Sequence, residues 1–180
     1  AEDVLRQSIG YLPQDYRLIN GSLRDNLVLG LPDPGDTVLM AAAEATGLAG
    51  LISAHPRGLD LPISEGGRGL SGGQRVLTGL TRLMLAKPGL WLLDEPTANL
   101  DVDTEMRVLG GLQRQLTDRS TLVLVTHKFQ LLGLVNRVLV VGNGQIVMDG
   151  PTQEVLERLK RPPEQAPPKK PSATIVGVKK

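Results

Sequence analysis

Apolar residues along this chain follow two different rhythms. Val76, Leu77, Leu80, Leu83 and Met84 fall on one face at helical spacing, and Pro88 follows them, so a helix is predicted there. After Pro88 the rhythm changes. Leu90–Leu93 (LWLL), Leu122–Val125 (LVLV) and Val138–Val141 (VLVV) are continuous apolar runs. Strands apolar on both faces belong to sheets covered on both sides, which usually means parallel strands joined by crossover helices. The stretch from about Thr104 to Leu116 is long enough for one such crossover.

The remaining elements follow from punctuation. Residues 9–12 (IGYL) read as a short strand ended by Pro13. Residues 15–35 are turn-rich, with Asn20-Gly21, Pro32, Pro34 and Gly35. Asp36 is placed to cap a helix running to about Thr46, and Gly47 to stop it. A second irregular stretch, HPRGLDLPISEGGRG, leads to LSGGQ at residues 70–74. Asn143-Gly144 predicts a two-residue hairpin into Gln145–Met148, so the sheet should close with an antiparallel pair. Thr152 is placed to cap a last helix, with Glu154 in its first turn. From Arg161 onward five prolines and five basic residues, with a short apolar patch at Ile175-Val176, read as a flexible tail, a bound partner strand being the alternative.

Bulk properties narrow the classes. With 180 residues, the chain suits one domain with a sizeable core. A formal net charge of +1 argues for neither nucleic acid nor an anionic membrane as partner. The absence of cysteine excludes a disulfide framework and thiolate metal sites. No apolar run reaches the ~18 residues of a membrane span, and the longest candidate, Leu131 to Val141, is cut by Asn136 and Arg137.

Chemistry gathers at the predicted strand ends. Asp94 and Glu95 follow LWLL directly, where open α/β sheets hold ligands. Asp94 suits a hard cation such as Mg2+, and Glu95 could orient or deprotonate a water. Both could equally be turn or capping acids. His127 follows LVLVT in the same way and can donate to a phosphate oxygen, or serve only structure. His55, in a loop, reads as structural. Gln14, just past the first strand, could reach a cation's water or cap a turn. At LSGGQ, the Ser71 hydroxyl, the closely approachable Gly72 and Gly73, and the free amides of a helix start favour an anion. A plain Ser-Gly-Gly turn is the alternative.

Taken in order, PQD, SEGGRGLSGGQR, LWLLDEPTANLD and LVLVTH resemble the ATPase domain of ABC transporters over about residues 1–159. The resemblance implies an incomplete P-loop NTPase-like α/β fold: a parallel sheet with flanking helices, a helical signature subdomain at about 30–88 and a C-terminal antiparallel hairpin. The ATPase portion is expected to span 1–160 and the tail 161–180. The match assigns Gln14 to the Q-loop, Ser71, Gly72, Gly73 and Gln74 to the signature, Asp94 and Glu95 to the Walker B strand and catalytic glutamate. It also puts Asn99-Leu100-Asp101 in the D-loop and makes His127 the switch histidine. ATP and Mg2+ are the implied substrate and cofactor, with Glu95 and His127 catalytic, Gln14 and Asp94 near the metal, and Asp101 near nucleotide.

The stretch YLPQDYRLINGSLRDNLVLG and the loop Glu65–Gly69 look exporter-like. The combination HPRGLDLPISEGGRGLSGGQR with GPTQEVLERL is most similar to bacterial type I secretion exporters. That resemblance implies a second ATPase domain in a homodimer, a transmembrane domain in the same longer chain, a membrane-fusion adaptor and an outer-membrane channel. The expected location is the cytoplasmic face of the bacterial inner membrane, with no nucleic-acid partner. A soluble ATPase of DNA repair or translation and a non-catalytic remnant are the competing readings.

Departures from the family pattern are Thr78 and Thr81 in the helix after the signature, expected to loosen packing, and Lys128 where arginine is frequent. No G-x-x-x-x-G-K-[ST] occurs in the 180 residues. The chain is therefore expected to be the carboxyl-terminal part of a longer one. On that expectation it binds ATP poorly alone, and its sheet carries an exposed edge.

Overall fold

A computed structural model describes residues 8–160 and 174–179. Its main sheet has six strands in the order β1-β4-β5-β8-β6-β7. Three of them are mutually parallel: β1 (Ile9–Leu12), the short strand before Pro13, and two of the apolar runs, β4 (Leu90–Asp94) and β5 (Thr121–Thr126). On the far side, β6 (Arg137–Gly142) and β7 (Gln145–Pro151) form the expected hairpin, with a bulge between Val140 and Val141. Asn143 and Gly144 turn it at φ of 52° and 76°, the left-handed pair that a tight hairpin needs. A separate antiparallel pair joins β2 (Gly21–Ser22) and β3 (Pro62–Ile63).

Six α-helices accompany these strands in the described residues, besides short 3-10 turns at Gly58–Asp60, Glu65–Gly67 and Phe129–Leu134. The α-helices are α1 (Leu23–Leu27), α2 (Asp36–Thr46), α3 (Ala49–Ala54), α4 (Gly72–Ala86), α5 (Val102–Gln115) and α6 (Thr152–Lys160). The periodic residues of α4 face inward, with Leu80 and Met84 sealed from solvent, and α2 packs on both α4 and α5. Trp91, Leu93, Leu122 and Leu124 seal one face of the sheet, whereas Leu90, Leu92, Val123 and Val125 are only half-buried. The apolar runs predict two sealed faces. Here one face is covered less completely, because alternate side chains of one strand meet different neighbours.

Several local expectations shift. Gly35, not Asp36, is the N-cap of α2, while Gly47 ends it at φ 90° as expected. Thr152 begins α6 rather than capping it: its hydroxyl donates to the Val135 carbonyl at 2.8 Å, tying the helix to the segment that leads into β6. Thr78 and Thr81 do not loosen α4. Both are fully buried and hydrogen-bonded to carbonyls one turn back, at Gln74 and Leu77, and the Thr81 hydroxyl lies 2.7 Å from that of Thr46.

The largest departure concerns the tail. Thr174–Lys179 forms β8, which lies between β5 and β6 and is antiparallel to both. Those residues are not a flexible extension, and the remainder of the tail lies outside the described residues. β8 supplies strand partners to both neighbours, so among the described residues the outer strands of the sheet are β1 and β7.

Candidate functional site

Three parallel strands end at one rim. Leu12 lies opposite Leu93, and Asp94 opposite Val125, so Gln14, Asp94, Glu95 and His127 leave the sheet at its carboxyl end. Ligands of open α/β sheets sit there. The Glu95 amide donates to the Val125 carbonyl at 2.9 Å, extending the β4–β5 ladder one residue beyond the strand. Glu95 then turns the chain at φ 47°, a strained position for a side chain with a Cβ.

Glu95 folds its carboxylate inward. Its side chain is 13% exposed, and Oε1 is buried with no hydrogen-bond partner. His127 Nε2 lies 3.4 Å from that oxygen on a side chain that is 60% exposed. Two residues on, Thr97 Oγ1 is also buried without a partner. Buried polar atoms left unsatisfied are rare, and each needs an explanation such as a water or ligand. Here two of them flank the rim.

Among the described residues, no three His, Cys, Asp or Glu side chains cluster as a metal cage. The donors at this rim fit Mg2+ in another way: that ion uses one or two protein carboxylates and keeps waters and substrate phosphates as its other ligands. Asp94 would be the carboxylate, with Gln14, exposed at the end of β1, as the neutral oxygen donor. His55 is occupied locally, its Nδ1 accepting from the Arg57 amide at 3.1 Å.

The signature stands at the start of α4. Ser71 Oγ accepts from the Gln74 amide at 3.1 Å, and Gln74 Oε1 accepts from the Ser71 amide at 2.9 Å, a complete capping box. Amides of the first helical turn have no partner within the helix, so those of Gly72 and Gly73 complete an anion-favouring helix start. The two glycines differ. A Cβ on Gly73 would meet the Asn99 carbonyl oxygen at 3.0 Å and Leu100 Cδ2 at 3.1 Å, so a larger residue fits only if the Asn99-Leu100 segment gives way slightly. On Gly72 the nearest atoms would lie at ordinary contact distance, 3.6 Å and beyond.

Asp101 caps α5. Its Oδ1 accepts from the Thr104 amide at 2.9 Å and its Oδ2 from the Thr104 hydroxyl at 2.8 Å. The Thr104 amide, foremost, and then its hydroxyl hold the carboxyl below the ordinary aspartate range. Ser71, Gly73, Gln74, Asn99, Asp101 and Thr104 are among the walls of a cleft of about 290 Å³. The loop from Glu95 to Asp101 thus runs from the rim to the signature.

Sequence reasoning underrated Lys128. Its Nζ donates to the Thr97 carbonyl at 2.9 Å and pairs with Glu105, a buried carboxylate on α5. One lysine therefore fastens the turn after β5 to the loop after β4. The only local signal is a basic residue beside His127, and no sequence pattern links it to partners so far back in the chain.

With this geometry in place, comparison with known proteins is specific. The family model described as "ABC transporter" matches residues 1–98, and the chain belongs to that family. The glutathione/L-cysteine transport system ATP-binding/permease protein CydC of Escherichia coli (strain K12) is 38% identical over 157 residues, covering 87% of this chain and 27% of that protein. The type I secretion system ATP-binding protein PrsD of Rhizobium meliloti (strain 1021) is 34% identical over 160 residues, covering 89% of this chain and 28% of that protein. Among solved structures, a bacterial Atm1-family ABC exporter with ATP bound aligns with a TM-score of 0.76 at 28% identity, over 86% of this chain and 27% of that one. The chain spans about a quarter of the length of these relatives.

Proposed function

We propose that this chain supplies the hydrolytic rim and the signature face of an ATP-driven exporter. The observation that carries the reading is the buried Glu95 Oε1, which accepts no hydrogen bond and lies 3.4 Å from His127 Nε2, at the carboxyl end of three parallel strands. In this reading Glu95 accepts a hydrogen bond from the attacking water and takes up its proton as the water adds to the γ-phosphorus in line with the leaving ADP oxygen. The His127 imidazole, exposed on its outer side, donates to a γ-phosphate oxygen. Asp94, assisted by Gln14, would hold Mg2+, which neutralises charge on the phosphates when bound. Catalysis then rests on positioning and fixed charge rather than covalent chemistry.

Ser71, Gly72, Gly73 and Gln74 present an anion-favouring helix start. It would serve a γ-phosphate held by a second ATPase domain of a homodimer, and the cleft bordered by Asp101 would form part of that face. A larger cleft of about 720 Å³, walled by Tyr11, Tyr16, Leu29, Leu31 and Arg82, is where a transmembrane domain would dock. Both partners are features of the resemblance to exporters.

For cargo, the loop Glu65–Gly69 and the resemblance over residues 55–75 favour a type I secretion exporter that moves proteins, with an adaptor and an outer-membrane channel, at the bacterial inner membrane. The 38% identity to a glutathione/L-cysteine transport protein supports a second reading, export of a small thiol. Glu95→Gln in the exporter that carries these residues tests the common core. Turnover should fall about 100-fold or more while ATP binding persists, and undiminished turnover would remove Glu95 from the chemistry. Transport assays with a thiol and a secreted protein then separate the cargoes.

A further inference from the structure

Glu95 and His127 stand 3.4 Å apart on loops that follow two different strands. The bond from the Glu95 amide to the Val125 carbonyl fixes where the two backbones leave the sheet, but not the path of the loop after β4. That loop holds two non-glycine residues at positive φ, Glu95 at 47° and Asn99 at 65°. Such strain persists only where surrounding contacts over-determine the backbone. Two turn bonds run within the loop, from the Ala98 amide to the Glu95 carbonyl at 3.0 Å and from the Leu100 amide to the Thr97 carbonyl at 3.3 Å. The buried Thr97 hydroxyl contributes no bond.

Lys128 holds the loop from outside. Its amide donates to Thr126 Oγ1 at 3.0 Å, which seats it at the end of β5 directly after His127. Its Nζ donates to the Thr97 carbonyl at 2.9 Å, in the middle of the strained loop, and pairs with buried Glu105 in the first turn of α5. The Glu105 amide in turn donates to the carbonyl of Asp101, which borders the signature cleft, at 2.9 Å. One ammonium group therefore steadies the loop at its middle and beside its far end. Desolvation offsets much of the attraction in so buried a pair, so stability alone is a poor account of it. What the pair fixes is geometry.

We propose that Lys128 is a positioning residue for ATP hydrolysis, resting on the roles proposed above for Glu95 and His127. It keeps the loop that carries Glu95 in register with the turn that carries His127. Lys128 does not touch the reacting atoms. It acts through the Thr97 carbonyl, two residues beyond Glu95, and through Glu105 at the start of α5. Displacing a catalytic group by about 1 Å can cost about 100-fold in rate, so a loosened loop lowers turnover while the groups that bind nucleotide stay in place.

In the exporter proposed to carry these residues, Lys128→Met should lower kcat about tenfold or more. KM for ATP should stay unchanged, the pattern of an interaction that counts only in the transition state. Combining Lys128→Met with Glu105→Gln separates stability from positioning. The double variant has no stranded buried charge, so its unfolding midpoint recovers in part, but the Thr97 carbonyl stays unheld and kcat should remain low. Lys128→Arg, which keeps the charge and the donors, should restore most of the turnover. Hydrogen exchange reads the loop without nucleotide. In the double variant the Ala98 and Leu100 amides should exchange about tenfold faster, with those joining β1 to β4 unchanged. The positioning role is overturned if kcat returns together with stability in the double variant, if only KM changes, or if exchange at Ala98 and Leu100 is unaltered. Glu95→Gln distinguishes the two levels. Undiminished turnover there removes the roles given to the rim, whereas a normal loss there with full turnover in both Lys128→Met variants removes Lys128 alone.

Discussion

Glu95 and Asp101 are carboxylates at the two ends of one loop, and the chain treats them in opposite ways. Asp101 is exposed, yet both its oxygens accept hydrogen bonds from Thr104. Glu95 is nearly buried, yet one of its oxygens accepts no hydrogen bond and has only the His127 imidazole at 3.4 Å, and its backbone is held at positive φ. Burial without satisfaction is the costly arrangement, and satisfaction at the surface the inexpensive one. The loop therefore keeps its ready acceptor at the strand rim and spends the other carboxylate on starting a helix. Lys128 reinforces this by gripping the loop midway, at Thr97.

The contrast can be broken most forcefully at the rim. In the exporter proposed to carry these residues, His127→Ala should lower ATP turnover about 100-fold with little change in unfolding midpoint, because the side chain is mostly exposed. A large stability loss with normal turnover would reverse the roles of the two loop ends. Next in size is Lys128→Met, which leaves Glu105 buried beside an apolar group. Denaturant unfolding should show a loss of about 3 kcal/mol, and a second substitution, Glu105→Gln, should recover part of it. If the double variant is no more stable than the single one, Lys128 does not act through that pair.

At the satisfied end the effects are smaller. Ser71→Ala removes one half of the capping box and should cost about 1 kcal/mol in a urea melt, while Gly72→Ala, which meets nothing closer than 3.6 Å, should be nearly neutral for folding. In the proposed exporter, Gly72→Ala should nonetheless slow turnover if phosphate approaches there, which separates packing from binding at adjacent residues. The smallest effect is acid sensitivity. Asp101, Asp25, Asp33 and Asp149 are all held below the ordinary aspartate range. The Thr104 amide does this for Asp101, the Ser22 amide for Asp25, the Gly35 amide for Asp33 and the Arg137 guanidinium for Asp149. Their folded values are depressed, so their stabilisation is complete above about pH 4 and is lost as pH falls through those lower values. A pH series of melts should therefore be flat from neutrality to about pH 5 and decline below it.

Much of this molecule is legible along the chain. The apolar runs and the Asn143-Gly144 turn specify β4, β5, β6 and the closing hairpin, because strands buried in a sheet need uninterrupted apolar side chains and a tight hairpin needs left-handed turn residues. The motif order identifies the family, and strand-end placement brings Gln14, Asp94, Glu95 and His127 to one rim. Those signals are local, and each is contained within a few consecutive residues.

What the sequence could not decide depends on partners distant in the chain. Nothing near Lys128 announces Glu105 or Thr97, nothing near Thr152 announces the Val135 carbonyl, and the Thr46–Thr81 contact joins two different helices. The apolar patch at Ile175-Val176 is too short to declare itself a strand. It becomes one only where β5 and β6 stand a strand's width apart and Val135 leaves room for a glycine. Local pattern fixed which segments could be strands or helices, but pairing across the sheet is a property of the assembled edges, and only the tertiary structure brings those edges together.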